Sequence, residues 1–294
     1  MKRRERPVHF LKVSGAGNDF VLLDVRHAGR RGVAPGLTRG ALVRALCAEG
    51  HSVGADGVLF IEKSRSADFR LVYYNSDGRE AALCGNGTRC AALYAFRHGL
   101  APARMTIDAG SGTVEATVEK AGVELALGRP RGFRPDVAVA VASGVVRGDF
   151  VNVGVPHFVT TPGDWRRLDV DGLGRDIRRH RAFGRQGANV NFVRVVPGGA
   201  VEIRTYERGV EAETLACGTG AVAAAICLAK RGLVKPPVRL RTLGGDTLRV
   251  RFQDTVNPLS SPFLHGPAQV VYEGDIRTDT LRAVARKLAG GRSR

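Results

Sequence analysis

Cys84-Gly-Asn-Gly-Thr-Arg-Cys90 and Cys217-Gly-Thr-Gly-Ala-Val-Ala223 decide the fold, because each opens the same kind of segment. Residues 80–100 read EAALCGNGTRCAALYAFRHGL, and residues 211–233 read EAETLACGTGAVAAAICLAKRGL. Placing Cys84 on Cys217 sets an offset of 133 residues (217 − 84). The same offset lays Gly99-Leu100 on Gly232-Leu233, Gly54-Ala55 on Gly187-Ala188, and Gly112 on Gly245. Separate landmarks at one gapless offset identify a duplication. The reading is two structurally similar domains related by a pseudo-twofold axis.

Working outward, residues 58–61 (VLFI) and 69–74 (FRLVYY) read as strands. Their counterparts are residues 190–196 (VNFVRVV) and 201–206 (VEIRTY). After each pair comes a Gly-rich turn, then an Ala-rich apolar segment of about 14 residues starting at Cys84 or Cys217. These segments lack a clear polar face, and a helix apolar nearly all round is a buried helix. Short alternating strands follow at 113–118 and 247–252. The expected fold class is α+β: two pseudo-symmetric domains, each a curled, mostly antiparallel, barrel-like β-sheet around a central α-helix. The expected domains are residues 1–130, completed by 276–294, and residues 131–275. The segment 133–142 (FRPDVAVAVA) is expected near the crossover, and a helical pattern from Thr278 is expected to return to the first domain.

Composition bounds the function. The chain has 294 residues, 44% hydrophobic and 25% charged, which excludes a wholly disordered or collagen-like chain. Lys plus Arg total 45 against 28 acids, a net charge of +17. The excess is nearly all arginine. A basic balance raises nucleic acid, membrane surfaces and acidic small molecules as partners. Here the charge is dispersed, densest at 2–4, 178–181 and 292–294, and aromatics are only 6%. That speaks against a nucleic-acid binder, which needs clustered basic and stacking residues. No stretch reaches the roughly 18 apolar residues of a membrane span. No apolar core follows the basic N-terminus, so secretion is not expected. Five cysteines, an odd number, suggest no disulfide framework and fit a reducing, cytoplasmic location.

The chemistry is expected where each buried helix begins. The first backbone N–H groups of a helix lack intrahelical partners, and the dipole adds positive charge there. Both effects favour a thiolate, below the usual cysteine pKa of about 8.5. They also make the helix start an anion site. Two symmetric domains would face two such cysteines into one cleft, one as thiolate and one as thiol. A thiolate can remove an α-hydrogen while the opposite thiol delivers a new one. A carboxylate held between two helix N-termini would accept the carbanion charge. This chemistry needs neither metal nor organic cofactor. No CxxC occurs, and no histidines cluster at ligand spacing. Cys47, Cys90 and Cys227 are expected only to pack.

The motifs are SGAGNDF (14–20), GADG (54–57), YNSDG (74–78), CGNGTRC (84–90), GVPH (154–157), GANVNF (187–192), YERGVEAETLACGTGA (206–221) and GPAQVVYEG (266–274). Together they resemble the diaminopimelate epimerase family, from Phe10 to about Ile276. The resemblance implies a two-domain enzyme with its active site between the domains. It further implies epimerisation of LL- to meso-diaminopimelate without cofactor, a small-molecule substrate and a homodimer. Neither nucleic acid nor membrane is expected as a partner. Cys84 and Cys217 match the catalytic acid/base pair, with Cys84 taking the proton from the LL substrate. Asn18, Asn75 and Asn189 match substrate-binding amides. Spacing alone does not separate Asn189 from Asn191, which share a strand face; the motif favours Asn189. Arg208 matches a bidentate clamp for the distal carboxylate. Gly85-Asn86 and Gly218-Thr219 match the backbone cradle of the reacting carboxylate. His157 and Glu207 are expected to flank the cysteines.

Two positions depart from the pattern. Many relatives carry Asn where this chain has Val155, and Gln where it has Gly57. The second reading is another cofactor-independent amino-acid racemase on the same fold. The set Asn18, Asn75, Asn189 and Arg208 favours diaminopimelate.

Overall fold

The structure is a computed structural model that describes residues 7–28, 32–81, 84–110 and 112–290. The basic runs at 2–4 and 292–294, and residues 82–83 of the first repeat segment, lie outside the described residues. The first copy of the fold runs β1 (Val8–Gly15), β2 (Asn18–Asp24), α1 (Arg39–Cys47), β3 (Gly57–Glu62), β4 (Phe69–Asn75), β5 (Glu80–Ala81), α2 (Gly85–Arg97), β6 (Arg104–Ala109), β7 (Gly112–Glu119). After β8 (Gly122–Ala126) come β9 (Arg131–Val141), β10 (Gly144–Asn152), β11 (Pro156–Thr160), α3 (Val170–Arg178) and β12 (Asn189–Val195). Then follow β13 (Val201–Glu207), β14 (Ala212–Thr214), α4 (Gly218–Lys230), β15 (Val238–Arg241), β16 (Thr247–Phe252) and β17 (Pro262–Gly266). β18 (Gln269–Ile276) and α5 (Thr278–Gly290) close the described chain.

Two compact units result. One holds residues up to Val123 together with those from Ala268 onward; the other spans Glu124–Pro267. The first unit therefore takes back strand β18 as well as helix α5. The segment 133–142, expected near the crossover, lies within and just after strand β9 of the second unit.

Strand order repeats from unit to unit. In the first, the sheet runs β18-β1-β2-β3-β4-β6-β7; in the second it runs β9-β10-β11-β12-β13-β15-β16-β17-β8. Parallel neighbours are β2/β3 and β4/β6 in the first unit, and β11/β12 and β13/β15 in the second. Parallel neighbours need a crossover, and the four crossovers contain α1, α2, α3 and α4. The sheets are therefore mostly antiparallel. In the first unit α2 touches β1, β2, β3, β4, β7 and β18. In the second, α4 touches β10 to β13 and β15 to β17. Each sheet curls around one helix without closing, the α+β architecture read from the sequence.

The central helices are apolar because sheet surrounds them. Asn86 to Ala95 of α2 and Gly220 to Leu228 of α4 are buried. Both helices end alike. Gly99 and Gly232 adopt positive φ (67° and 70°), the left-handed closure that glycine takes without Cβ strain. Leu100 N then donates to Ala95 O, and Leu233 N to Leu228 O. These Gly-Leu pairs are the closing landmarks of the repeat.

The outer sheet faces are covered too. In the first unit, Val21, Leu23, Val58 and Phe60 pack with Leu42, Val43 and Leu46 of α1 and Leu281 and Val284 of α5. In the second, Phe158, Val190, Phe192 and Tyr206 pack with Val170 and Ile177 of α3. Strands buried on both faces read as continuous apolar runs, which explains VLFI at 58–61. Among the described residues, no helix is long and apolar enough to cross a membrane.

Candidate active site

Each unit carries one cluster, built around the start of its central helix. Cys84 is the N-cap of α2, with φ −128° and ψ 110°, and Cys217 is the N-cap of α4, with φ −123° and ψ 109°. Neither side chain caps its own helix. A serine or aspartate there would accept from the helix N–H groups. Here the cysteine makes no such cap.

In the first unit, an ordered amide chain runs beside Cys84. The fully buried Arg89 guanidinium donates to Asn86 Oδ1 at 2.7 Å. Asn86 Nδ2 donates to Asn18 Oδ1 at 2.6 Å, and Asn18 Nδ2 donates to Asp56 Oδ2 at 2.9 Å. Asp56 N in turn donates to Asp19 Oδ1 at 3.0 Å, and Asp19 pairs with Lys12 at 2.7 Å. Carbonyl and amine ends alternate along the chain, so each amide has one orientation. The β1–β2 turn presents Asn18, and its close approach to α2 requires Gly15. A Cβ there would lie 2.8 Å from Asn86 O. A Cβ at Gly85, by contrast, would meet nothing within 4 Å. Among the described residues, the first turn of α2 is therefore uncrowded at Gly85.

Asn75 ends β4 opposite Gly57 and is exposed. Tyr73 donates its hydroxyl to Asn75 Oδ1 at 2.7 Å, which orients the amide. Gly57 has a local reason. A Cβ there would lie 2.4 Å from Tyr74 O and 2.7 Å from the Tyr73 ring. The Tyr73 ring occupies the room into which a longer side chain at 57 would extend.

In the second unit, His157, Asn189, Asn191, Glu207, Arg208, Cys217 and Thr219 are brought together on β11, β12, the end of β13 and the start of α4. His157 lies opposite Asn189 in the parallel β11/β12 pair. Asn189 is buried, and its Oδ1 accepts from Arg208 N at 2.7 Å. The Arg208 side chain reaches Gln186 Oε1 at 3.3 Å. Glu207 accepts from Thr214 Oγ1 at 3.0 Å. Cys217 Sγ lies 3.6 Å from Thr219 Oγ1. Val155 is half-buried in the tight β10–β11 turn, where Val153 N donates to its carbonyl at 3.0 Å.

The His157 ring is fully buried, and burial, reinforced by Arg208, pulls its pKa from 6.5 down to about 3. It is neutral at physiological pH. Burial pushes the Cys47 and Cys90 thiols up to about 12 and raises Cys227 as well. These three stay protonated and pack as small apolar groups. Among the described residues, no group of three His, Cys, Asp or Glu is placed to hold a metal ion.

The sequence reading passed over Arg89, Lys12, Tyr73, Thr205 and Gln186, and set Asn191 aside. Arg89 and Asn191 stand inside quoted motifs, so position could have flagged them. Tyr73 and Thr205 carry no signal before the strands are paired.

The family model described as Diaminopimelate epimerase matches residues 10–132 and 150–271. The chain is 38% identical over 280 residues to the diaminopimelate epimerase of Aquifex aeolicus, covering 93% of this chain and 99% of that one. Among solved structures, it is similar to a probable proline racemase from Agrobacterium radiobacter, with TM-score 0.69 and 17% identity, covering 92% of each chain. It is also similar to a hydroxyproline epimerase from Agrobacterium vitis, with TM-score 0.67 and 21% identity, covering 94% of this chain and 92% of that one. At such identities the structural likeness is one of fold.

Proposed function

The chain belongs to the diaminopimelate epimerase family, and from that premise we propose a two-thiol inversion at one α-carbon of 2,6-diaminopimelate. The enzyme is an isomerase that interconverts the LL and meso forms, a step of lysine and peptidoglycan-precursor biosynthesis. Its substrate is a small molecule.

In the forward direction, the Cys84 thiolate takes the α-hydrogen of the LL substrate as a proton. The electron pair left on carbon spreads into the α-carboxylate. Backbone N–H groups at Gly85-Asn86 and Gly218-Thr219 receive that carboxylate at the two helix starts. The Cys217 thiol then gives its proton to the opposite face and becomes the thiolate. The reverse reaction exchanges the roles, and proton exchange with water resets the pair. Inversion by this route requires the two sulfurs to reach opposite faces of one carbon. Each unit acts as an epimerase domain carrying one of the two reacting thiols.

The remaining residues read the rest of the substrate. Asn18, Asn75 and Asn189 bind its polar groups, and Arg208 leaves Gln186 to clamp the distal carboxylate. Glu207 and His157 flank the thiols; His157, being neutral, serves as a hydrogen-bond donor. We place the enzyme in the cytoplasm as a homodimer, acting on neither nucleic acid nor membrane. Ion pairs such as Arg26–Asp24, Arg204–Glu213 and Arg231–Asp149 give the arginines a structural use that supports this reading.

The observation that carries the proposal is the matched backbone of Cys84 and Cys217 at equivalent helix starts. The test is an epimerisation assay of LL-diaminopimelate beside proline, histidine and glutamate. Turnover of diaminopimelate alone supports the reading. Preferential turnover of another amino acid shifts it to the racemase alternative.

A further inference from the structure

We propose that Asn191 is a positioning residue. It fixes His157 in the tautomer whose Nε2 carries the proton, so that the buried ring offers a neutral N–H donor and no base. The role of His157 beside Cys217 rests on the function proposed above; the tautomer itself does not.

The tautomer follows from three hydrogen bonds. Asn191 and His157 are both fully buried. Asn191 Nδ2 lies 3.2 Å from Phe158 O. A carbonyl only accepts, so this end of the side chain is the amide nitrogen. The other end, Oδ1, accepts from Thr205 Oγ1 at 3.0 Å. The Phe158 carbonyl settles the orientation of the amide, and the Thr205 hydroxyl, able to donate or accept, fits it. The same Nδ2 lies 3.1 Å from His157 Nδ1. Facing a donor, Nδ1 must be the bare nitrogen of the ring. The neutral ring then holds its proton on Nε2.

That proton has nowhere to go within the described residues. His157 Nε2 is buried and without a hydrogen-bond partner. An unpaired buried donor destabilises the fold. Its retention points to an acceptor that arrives with the ligand, and an anionic oxygen or sulfur suits an N–H best. The location agrees. Asn191 Oδ1 presses on the first turn of α4, where a Cβ at Gly220 would lie 2.3 Å from it and 3.3 Å from Cys217 Sγ. Arg208 raises the cost of a second proton on the ring, so the donor stays neutral.

The test is nitrogen-15 NMR of the full-length enzyme labelled at histidine, with the His157 signal assigned by its loss in His157→Gln. The expected wild-type pattern is a bare Nδ1 and a protonated Nε2, unchanged from about pH 5 to pH 8. In Asn191→Asp a carboxylate replaces the donor, which requires a proton on Nδ1. The pattern then switches, and kcat falls about tenfold or more with KM little changed. A wild-type ring protonated at Nδ1 overturns the proposal, and does so even if the variant fails to fold. A folded Asn191→Asp with wild-type pattern and kcat overturns it too. If the tautomer is as stated but His157→Gln keeps full activity, the assignment of Asn191 stands and the catalytic setting of His157 falls.

Discussion

Asn86 donates its side-chain amide to Asn18 across 2.6 Å, in the first turn of the helix that Cys84 opens. The amide is neutral, held by Arg89 on its other side. Asn86→Asp keeps the Arg89 bond but removes the donor to Asn18 and sets a negative charge beside the thiol. A carboxylate at a helix start favours the fold and disfavours a neighbouring thiolate. Thermal stability should hold, while kcat falls about 10- to 100-fold and alkylation of Cys84 slows. Unchanged alkylation and turnover would contradict this reading of the cluster.

Beside Gly57, the Tyr73 ring takes the space a longer side chain would need. Gly57→Gln should destabilise the enzyme by about 1–3 kcal/mol, because Tyr74 O is backbone and cannot retreat cheaply. Tyr73→Phe keeps the ring and removes the hydroxyl that orients Asn75. It should raise KM about three- to tenfold with little change in melting temperature. Chemical denaturation and steady-state kinetics check both.

His157 links stability to pH. Its folded pKa, about 3, lies below the ordinary 6.5. Above pH 6.5 both folded and unfolded chains hold it neutral, and its contribution is flat. Below that pH the unfolded chain takes a proton that the folded chain refuses. Stability then falls as pH drops, by at most about 1.4 kcal/mol per pH unit from this group, down to about pH 3. Urea unfolding of His157→Gln should therefore show a shallower loss of stability between about pH 6 and pH 4 than the parent. Parallel curves would show that the ring is not held neutral.

The five cysteines should divide by chemistry. Cys84→Ala and Cys217→Ala should each abolish inversion while leaving the unfolding midpoint nearly unchanged. Cys90→Ser and Cys227→Ser bury a hydroxyl where a thiol packs, and should cost about 1–3 kcal/mol of stability with the activity of the folded enzyme retained. Activity in either alanine variant equal to the parent would contradict the two-thiol reaction.

The fold was legible because the duplication is written in residues with fixed conformational duties. Gly99 and Gly232 recur because both helices need a left-handed residue to close. The apolar strands recur because both sheet faces are covered. The clusters were legible only in part. Cys84, Asn86, Asn189 and Arg208 stand in dense motifs. The partners that orient them come from elsewhere in the chain: Asp56 reaches Asn18 from 38 residues away, and Thr205 reaches Asn191 from the next strand. Side-chain spacing on one strand does not show which neighbour a given amide meets. That knowledge required strand pairing, and it separated Asn189, bonded to the Arg208 backbone, from Asn191, bonded to His157.

The proposed reaction requires two separate thiols to serve the two faces of one carbon. Solvent deuterium tests it most directly, by following label at early times in reactions started from each pure isomer in deuterium oxide. A two-thiol reaction places deuterium at the inverted centre of the product in both directions and leaves the recovered substrate unlabelled. Label entering recovered substrate as fast as product would mean a single exchanging base, and would contradict it.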